Sequence, residues 1–502
     1  MKDIDDYDET EEFSEMMDEV NEMAEKLDEE MKDIKAQVDH EIPSDINREI
    51  HISDLDEDFS NVVRRSDYRG KVESTNIEPL PSRSSRRKLK KWVYFAFVAL
   101  LLVIGLGLFL IINNHSKTKK LEEEKKIVEN IKSHYHQYAK VSKDTTLYEK
   151  KDDEYKEVGK IYKDANVELE EQDITLDTKY FHIKDLDYYV SYEDIGEGKK
   201  DEEESRYKKY VPFNINVVTK DSFTLYNGDN KLITLNEEME FPVIINNYEN
   251  KYYVEYNNML VSISKDDVSK TKDNKNTDKK NQSKITTLAY HRIYKEGNAC
   301  TDPYVCMKIE SFDKQMKYLV DNNYLTLTLD ELYMYLKGNL QVEKAVVITL
   351  DDGLMFINAD EVLDKYKIQA TGFITTSLDT AFKSLKAIFV QSHTHDMHRN
   401  YVCPGGNQGG AILCASKADI VADLKKSIEI LGTDPIGFAY PFYDFNDNAI
   451  AALKEVGYKM AFVGRFGTLG KATPKVTDVF KIPRMTVYEE TAMSFNEWKG
   501  YL

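Results

Sequence analysis

The chain of 502 residues is 41% hydrophobic, 31% charged and 11% aromatic, which is apolar enough for about two to four packed domains and excludes disorder throughout. A formal net charge of -21 and a pI near 5.1 exclude ordinary binding to nucleic-acid backbones, since no long basic stripe offsets them. The 4 cysteines, none in a C-x-x-C, exclude zinc ribbons, thioredoxin-like redox centres and a disulfide-dense scaffold.

Residues 1–91 form an acidic tail. Within it Phe13, Met17, Val20, Ala24, Leu27, Met31, Ile34 and Val38 recur at alternating steps of four and three, the seam of a short coiled coil or of a helix for an unidentified cytoplasmic partner. A solvated, partly formed acidic helix is the competing use of the same pattern. Residues 41–85 read as linker. From Trp92 to Ile112 no charge interrupts a run of 21 residues, which matches the roughly 20 needed to span about 30 Å of hydrocarbon. No small-residue cleavage pattern follows, so a transmembrane helix is expected rather than a signal peptide. Arg83, Arg86, Arg87, Lys88, Lys90 and Lys91 precede the run, whereas Lys117, Lys119 and Lys120 are followed by Glu122, Glu123 and Glu124. That asymmetry places the tail in the cytoplasm and everything after Ile112 outside a single-pass cell-membrane protein.

Residues 113–140 read as a charged helical stalk, after which two-residue alternation begins. TTLYEK, YKEVGKIY, KYFHIKD and DYYVSYEDI are answered by SFTLYN, KLITLN, EMEFPVII and KYYVEYNNMLVSIS, giving two small β-units at 141–197 and 208–264. Their recurrent "LY", strand pair and closing "YYV" resemble the bacterial SH3-like domains of cell-wall proteins, which implies small β-barrels in contact with the wall. Tyrosines on such strands serve either packing or stacking on sugars and peptides. Residues 265–284 carry almost no apolar side chain and are expected to be a flexible linker.

In residues 285–502 apolar runs such as ITTLAYHRI, AVVITLDDG, ATGFITT, IGFAYPF and KMAFVG alternate with helical stretches, the pattern of an α/β domain with a parallel sheet, open or closed into a barrel. Functional side chains then gather at carboxyl ends of strands. AVVITL ends in Asp351, Asp352 and Gly353, and about forty residues on lies QSHTHDMH with His393, His395 and His398. Adjacent carboxylates repel unless a positive group separates their roles. One aspartate and two histidines with an open position make a catalytic set for zinc or another divalent ion. Cys300 with Cys306 and Cys403 with Cys414 are neighbours able to bond outside the membrane, though sequence alone does not fix their connectivity. The PGGNQGG stretch lacks a Walker lysine and reads as a rim loop.

TLDDG, then HTHDMH, then FAYPF resemble the successive motifs of the polysaccharide deacetylases, the NodB homology domain, over residues 285–502. LAYHRI, FDKQMKYL and the five-residue step from His393 to His398 are most similar to the branch that deacetylates poly-N-acetylglucosamine. The resemblance implies a distorted (β/α) barrel, Asp352, His393 and His398 as ligands of a divalent metal, zinc foremost, and Asp351 as base. His395 is the competing ligand. It also implies an oxyanion donor at Phe442 and a sugar-groove floor of Tyr440, Pro441 and Phe442. The usual family acid, a histidine near the C-terminus, is missing, since no histidine follows His398. His291 in YHRI takes that role, and Arg484 in KIPRM is placed to orient Asp351 or a substrate hydroxyl. The expected substrate is an N-acetylglucosamine glycan of the cell surface. Peptidoglycan is the rival substrate, and a non-catalytic surface scaffold is the rival of another class.

Overall fold

The computed structural model describes residues 83–199, 206–297, 300–378, 381–404, 408–464 and 470–502. The acidic tail up to residue 82, with its heptad seam, lies outside them. Helix α1 (Arg83–His134) runs over 52 residues and takes in the apolar run and most of the expected stalk, which ends in a strand at Tyr138–Val141. Its upper part is long and apolar enough to cross a membrane, and side chains such as Leu102 and Ile112 are exposed. Near its C-terminus Ile131 is buried in the β-region core.

Beyond α1 the chain is β-structure up to Asp273. The two repeating units are not separate barrels. Strand Asn230–Leu235 pairs antiparallel with Glu154–Ile161, which merges them into one sheet of eleven strands over one apolar core. Gly159 sits at that seam opposite Leu235, where any Cβ would run into the carbonyl of Thr234. A smaller sheet of three strands, Asn166–Glu168, Tyr138–Val141 and Ile195–Glu197, completes the region.

The expected flexible linker is corrected. Val268–Asp273 is a strand antiparallel to Ile215–Thr219, and Gln282 is tied to the next domain through Val342 and Ala345. An edge strand needs backbone partners more than apolar side chains, so composition alone misjudged the segment.

The C-terminal domain is built on parallel strands β1 (Ile285–Tyr290), β2 (Ala345–Leu350), β3 (Ala370–Ile374), β4 (Ile388–Ser392), β5 (Gly437–Ala439), β6 (Met460–Val463) and β7 (Ile482–Pro483), hydrogen-bonded in that order. Every residue of β1, β2 and β3 is buried, as expected where helices cover one face and the barrel interior the other. The sheet returns on itself just after β7. Ile482 pairs with Phe462 of β6, and three residues on Met485 pairs with Leu288 of β1. Between these pairings lies Arg484. Helix α2 (Ile309–Asp321) packs beside β1, and α3 (Leu329–Lys337) opens on a Thr328–Glu331 capping box and ends at Gly338 in the left-handed conformation with φ 78°. Helices α4 (Phe356–Lys365), α5 (Lys417–Leu431) and α6 (Asp447–Val456) follow β2, β4 and β5.

The β-region docks on the barrel through the same capping residue. Glu331 accepts 2.7 and 3.1 Å bonds from Arg206 and a 2.5 Å bond from the Tyr210 hydroxyl. Removing the Glu331 side chain takes away half of the capping box, the bond from the Thr328 N–H, and leaves a partly buried guanidinium uncompensated. Glu331→Ala is expected to cost about 2–4 kcal/mol in denaturant unfolding of the full chain, near the lower part of the range for broken buried pairs.

Candidate active site at the barrel mouth

Both aspartates leave the carboxyl end of β2. Asp351 follows β2 in extended course and its N–H bonds the carbonyl of Tyr290 at 2.9 Å, whereas Asp352 adopts φ 78°. That turn sends the adjacent carboxylates to different partners. Asp351 is buried and accepts two 2.7 Å bonds from the end of Arg484, which also donates to Thr349 at 3.2 Å. Burial, the largest single influence, would raise the Asp351 pKa, but the charge and hydrogen bonds of Arg484 together with the His393 and His291 imidazoles outweigh it and hold the carboxyl below its ordinary value. The guanidinium, wholly buried, lies 5.5–5.9 Å from the ring centres of Phe373, Tyr443 and Phe462. It orients Asp351 and has no exposed surface for a substrate hydroxyl.

Asp352 faces imidazoles instead. Its Oδ1 is 3.2 Å from Nε2 of His398 and 3.8 Å from Nε2 of His393. One ligand atom from each of Asp352, His393 and His398 lies within 4.8 Å of the others. Burial opposes ionisation of Asp352, yet the His398 hydrogen bond and the His393 charge bring its pKa well below the usual range. Burial pushes His393 down to about 4, which keeps that ring neutral. For His398 the opposing attraction of Asp352 outweighs burial, and its pKa rises.

The donor set suits a divalent metal. Nδ1–H of His393 donates to the carbonyl of Ala439 at 2.7 Å, which leaves Nε2 as the free lone pair aimed at Asp352. Separations of 3.2 and 3.8 Å bracket the roughly 3.4 Å expected between ligands about 2.1 Å from a tetrahedral ion. His395 points elsewhere, with Nδ1 2.9 Å from the Thr376 hydroxyl, and is not part of this cluster.

The loop carrying the histidines is held by its backbone. Thr394 is β-branched yet has φ 81°, and the carboxylate of Asp423 on α5 accepts the N–H groups of His395 at 2.7 Å and Asp396 at 2.8 Å. On the other side Phe442 and Tyr443 have φ 54° and 64°. Together with Asp352 and Thr394 they place four non-glycine residues of the barrel mouth in the left-handed region, each costing about 1–3 kcal/mol, as is common where side chains are aimed for chemistry. The Phe442 ring stacks on His398 with centroids 4.6 Å apart.

Two expected groove residues are corrected. Tyr440 is fully buried, packs on Phe438 and Phe445, and donates its hydroxyl to the carbonyl of Phe480, while Pro441 is also buried. Of the three, only Phe442 is exposed beside the cluster. His291 follows β1, is near enough to lower the pKa of both aspartates, and has a buried Nδ1 without a hydrogen-bond partner. Cys300 is bonded to Cys306 and Cys403 to Cys414, with Cα separations of 5.8 and 5.5 Å, in loops that follow β1 and β4.

Sequence reading missed Tyr443, Asp423 and Thr349. Tyr443 lies against Gly464, where a Cβ would strike its ring, and bonds Thr486 at 2.8 Å. Only its place next to FAYPF hinted at a role. Nothing in the sequence sets Asp423 apart from the other charges of α5.

Acid, imidazole and guanidinium groups converge at the carboxyl ends of the parallel strands, the face on which barrel enzymes carry their active sites. A family model for polysaccharide deacetylases matches residues 339–461. The poly-beta-1,6-N-acetyl-D-glucosamine N-deacetylase of Staphylococcus aureus (strain MRSA252) is 30% identical over 213 residues, which cover 38% of this chain and 71% of that relative. The protein of the same name from Staphylococcus epidermidis is 29% identical over 215 residues, covering 38% and 72%. Among solved structures, the deacetylase PplD of Streptococcus pyogenes in complex with acetate has 22% identity and a TM-score of 0.36, covering 43% of this chain and 97% of its own. IcaB from Ammonifex degensii has 20% identity and a TM-score of 0.36, covering 44% and 97%. The chain belongs to the polysaccharide deacetylase family and is a hydrolytic N-deacetylase.

Replacing Arg484 by an apolar side chain of similar length leaves the Asp351 charge buried without compensation. Arg484→Met is expected to destabilise the chain by about 3–5 kcal/mol in chemical denaturation, and Arg484→Lys by less.

Proposed function

We propose that the protein removes acetyl groups from N-acetylglucosamine units of a cell-surface glycan of the poly-N-acetylglucosamine type, from a membrane anchor formed by α1. One observation carries the reading: two adjacent aspartates are divided between Arg484 and a pair of imidazoles at the barrel mouth, in a chain 30% identical to relatives named for that reaction. Asp352, His393 and His398 are the residues that would hold a divalent ion, zinc foremost. Such an ion, when bound, polarises the acetamide carbonyl and lowers the pKa of water.

The remaining roles fall to this chain's own groups. Asp351 takes the proton of the attacking water; its two oxygens each keep a lone pair after the paired bonds to Arg484. Arg484 fixes the direction of that carboxylate. The backbone N–H of Phe442 is the donor for the developing oxyanion. His291 protonates the departing amine, and its unpartnered buried nitrogen supports that role. The Phe442 ring lines the sugar side of His398.

Around this centre, the lysine and arginine excess before Trp92 supports a cytoplasmic tail and an extracellular barrel. We read the β-units as an SH3-like spacer in reach of the cell wall. The same anchor and spacer favour peptidoglycan as the rival substrate.

Acetate release by the full-length chain in detergent, with a β-1,6-linked N-acetylglucosamine oligomer and with peptidoglycan, tests the reading. Release from the oligomer is expected to stop after chelation and return with one added divalent ion. Asp351→Asn and His291→Ala are each expected to lower kcat by about 10²–10⁴-fold. An unchanged rate in His291→Ala removes it as the acid, and release from peptidoglycan alone reverses the choice of substrate.

A further inference from the structure

Far from the barrel mouth in sequence, four strands share one end of the large sheet in the order Glu154–Ile161, Thr145–Lys151, Tyr188–Ser191 and Tyr180–His182. Strand alternation turns Leu147, Phe181 and Val190 into the core, where each is fully buried. The opposite face carries Tyr148, Tyr180, His182 and Tyr189, each half-buried, joined by Tyr155, which is 36% exposed. Tyr189 stands directly across from both Tyr148 and His182.

These rings do not form a flat strip. Tyr180 lies 4.6 Å from Tyr148 and 4.4 Å from Tyr155 at interplanar angles of 49° and 43°, and Tyr155 meets Tyr189 at 5.3 Å and 78°. Only His182 and Tyr189 stack, 4.6 Å apart. Each ring thus packs against its neighbours while keeping part of its surface exposed, and an exposed tyrosine face attracts a cation. One cation is already there, since the Lys150 ammonium sits 5.9 Å from the Tyr155 centroid, held by Asp153 at 3.1 Å.

The surroundings carry the matching charge. Residues 141–197 hold seventeen carboxylates against eight lysines. The Tyr189 phenol is shifted up first by burial, then by Tyr155, and more weakly by Asp187 and by Glu170, which is itself 2.6 Å from Nδ1 of His182, so both carboxylates lie within electrostatic reach of the rings. Deacetylation converts a neutral acetamide into a primary amine, which is an ammonium at neutral pH. On that reading the same chain generates a polymer of cationic sugars and presents a tyrosine patch on an acidic β-unit.

We propose that the Tyr148–Tyr155–Tyr180–Tyr189 patch binds the ammonium groups of a glucosamine polymer, the product of the barrel's reaction, in preference to its N-acetylated precursor. The inference rests on the deacetylase reading for the identity of its ligand and on the patch for its chemistry.

Calorimetric titration of the full-length chain in detergent with a β-1,6-linked glucosamine hexamer and with its N-acetylated counterpart tests it. The glucosamine hexamer is expected to bind at least about fivefold more tightly, and to weaken as salt is raised. Tyr155→Ala combined with Tyr180→Ala is expected to weaken it about five- to twentyfold while acetate release persists. Lys150→Gln is expected to tighten binding, because it removes the internal competitor, an effect that simple packing would not produce. Should the paired tyrosine variant fail to fold, Glu170→Gln with Asp187→Asn asks the same question through charge, with an expected loss of about threefold. Equal affinity for both hexamers, or affinity unchanged in these variants, overturns the proposal. A chain that releases acetate but ignores the glucosamine hexamer overturns this inference alone. One that binds the hexamer but releases no acetate overturns the deacetylase reading alone.

Discussion

The barrel closes through a five-residue segment that pairs with β6 at Ile482 and with β1 at Met485, and the residue carried between those pairings is a buried arginine. A guanidinium in that position needs a buried carboxylate, and a carboxylate at the end of β2 needs a buried cation. Asp351 and Arg484 meet both needs with two 2.7 Å bonds. Closure of the sheet, solubility of the charge inside it and the aim of the proposed base are thus one constraint. Phe373, Phe462 and Tyr443 around the guanidinium exclude water and make the pair depend on its geometry.

The pairing of Asp351 with Arg484 also frees Asp352. Two neighbouring carboxylates would otherwise share their cations and one would tend to hold a proton. Here the left-handed turn at Asp352 separates them, and each has its own partner, Arg484 for Asp351 and His398 for Asp352. The imidazoles are positioned from outside the pair, by the Ala439 carbonyl behind His393 and by Asp423 beneath the loop between the histidines. Backbone strain at Thr394, Phe442 and Tyr443 is tolerated because those contacts over-determine the loops that bear it.

Much of this was legible locally. A continuous β-branched run ending in two acids and a glycine marks a buried parallel strand and its rim, and three histidines within six residues mark a loop with ligand chemistry. What was not legible depends on partners distant in the chain. For Arg484 the sequence left two partners open, Asp351 or a substrate hydroxyl, and only the closing segment that buries it against Asp351 decides between them, while nothing in the sequence ties Asp423 on α5 to the histidine loop. Tyr440 was misjudged because a motif identifies a segment and not the direction of each side chain within it. The segment 265–284 was misjudged because hydrogen bonding at a sheet edge leaves little trace in composition. Pairing of Gly159 with Leu235 merged two units that repeat in sequence as if they were separate.

The central claim is that Asp352, His393 and His398 form one coordination set while Asp351 stays outside it. Zinc-edge X-ray absorption of the zinc-loaded full-length chain tests this most directly. The account predicts two imidazole nitrogens at about 2.0–2.1 Å with oxygen donors completing the shell, and loss of one imidazole shell in His398→Ala but not in His395→Ala. A shell without imidazole scattering, or one that His395→Ala diminishes while His398→Ala leaves it intact, contradicts it.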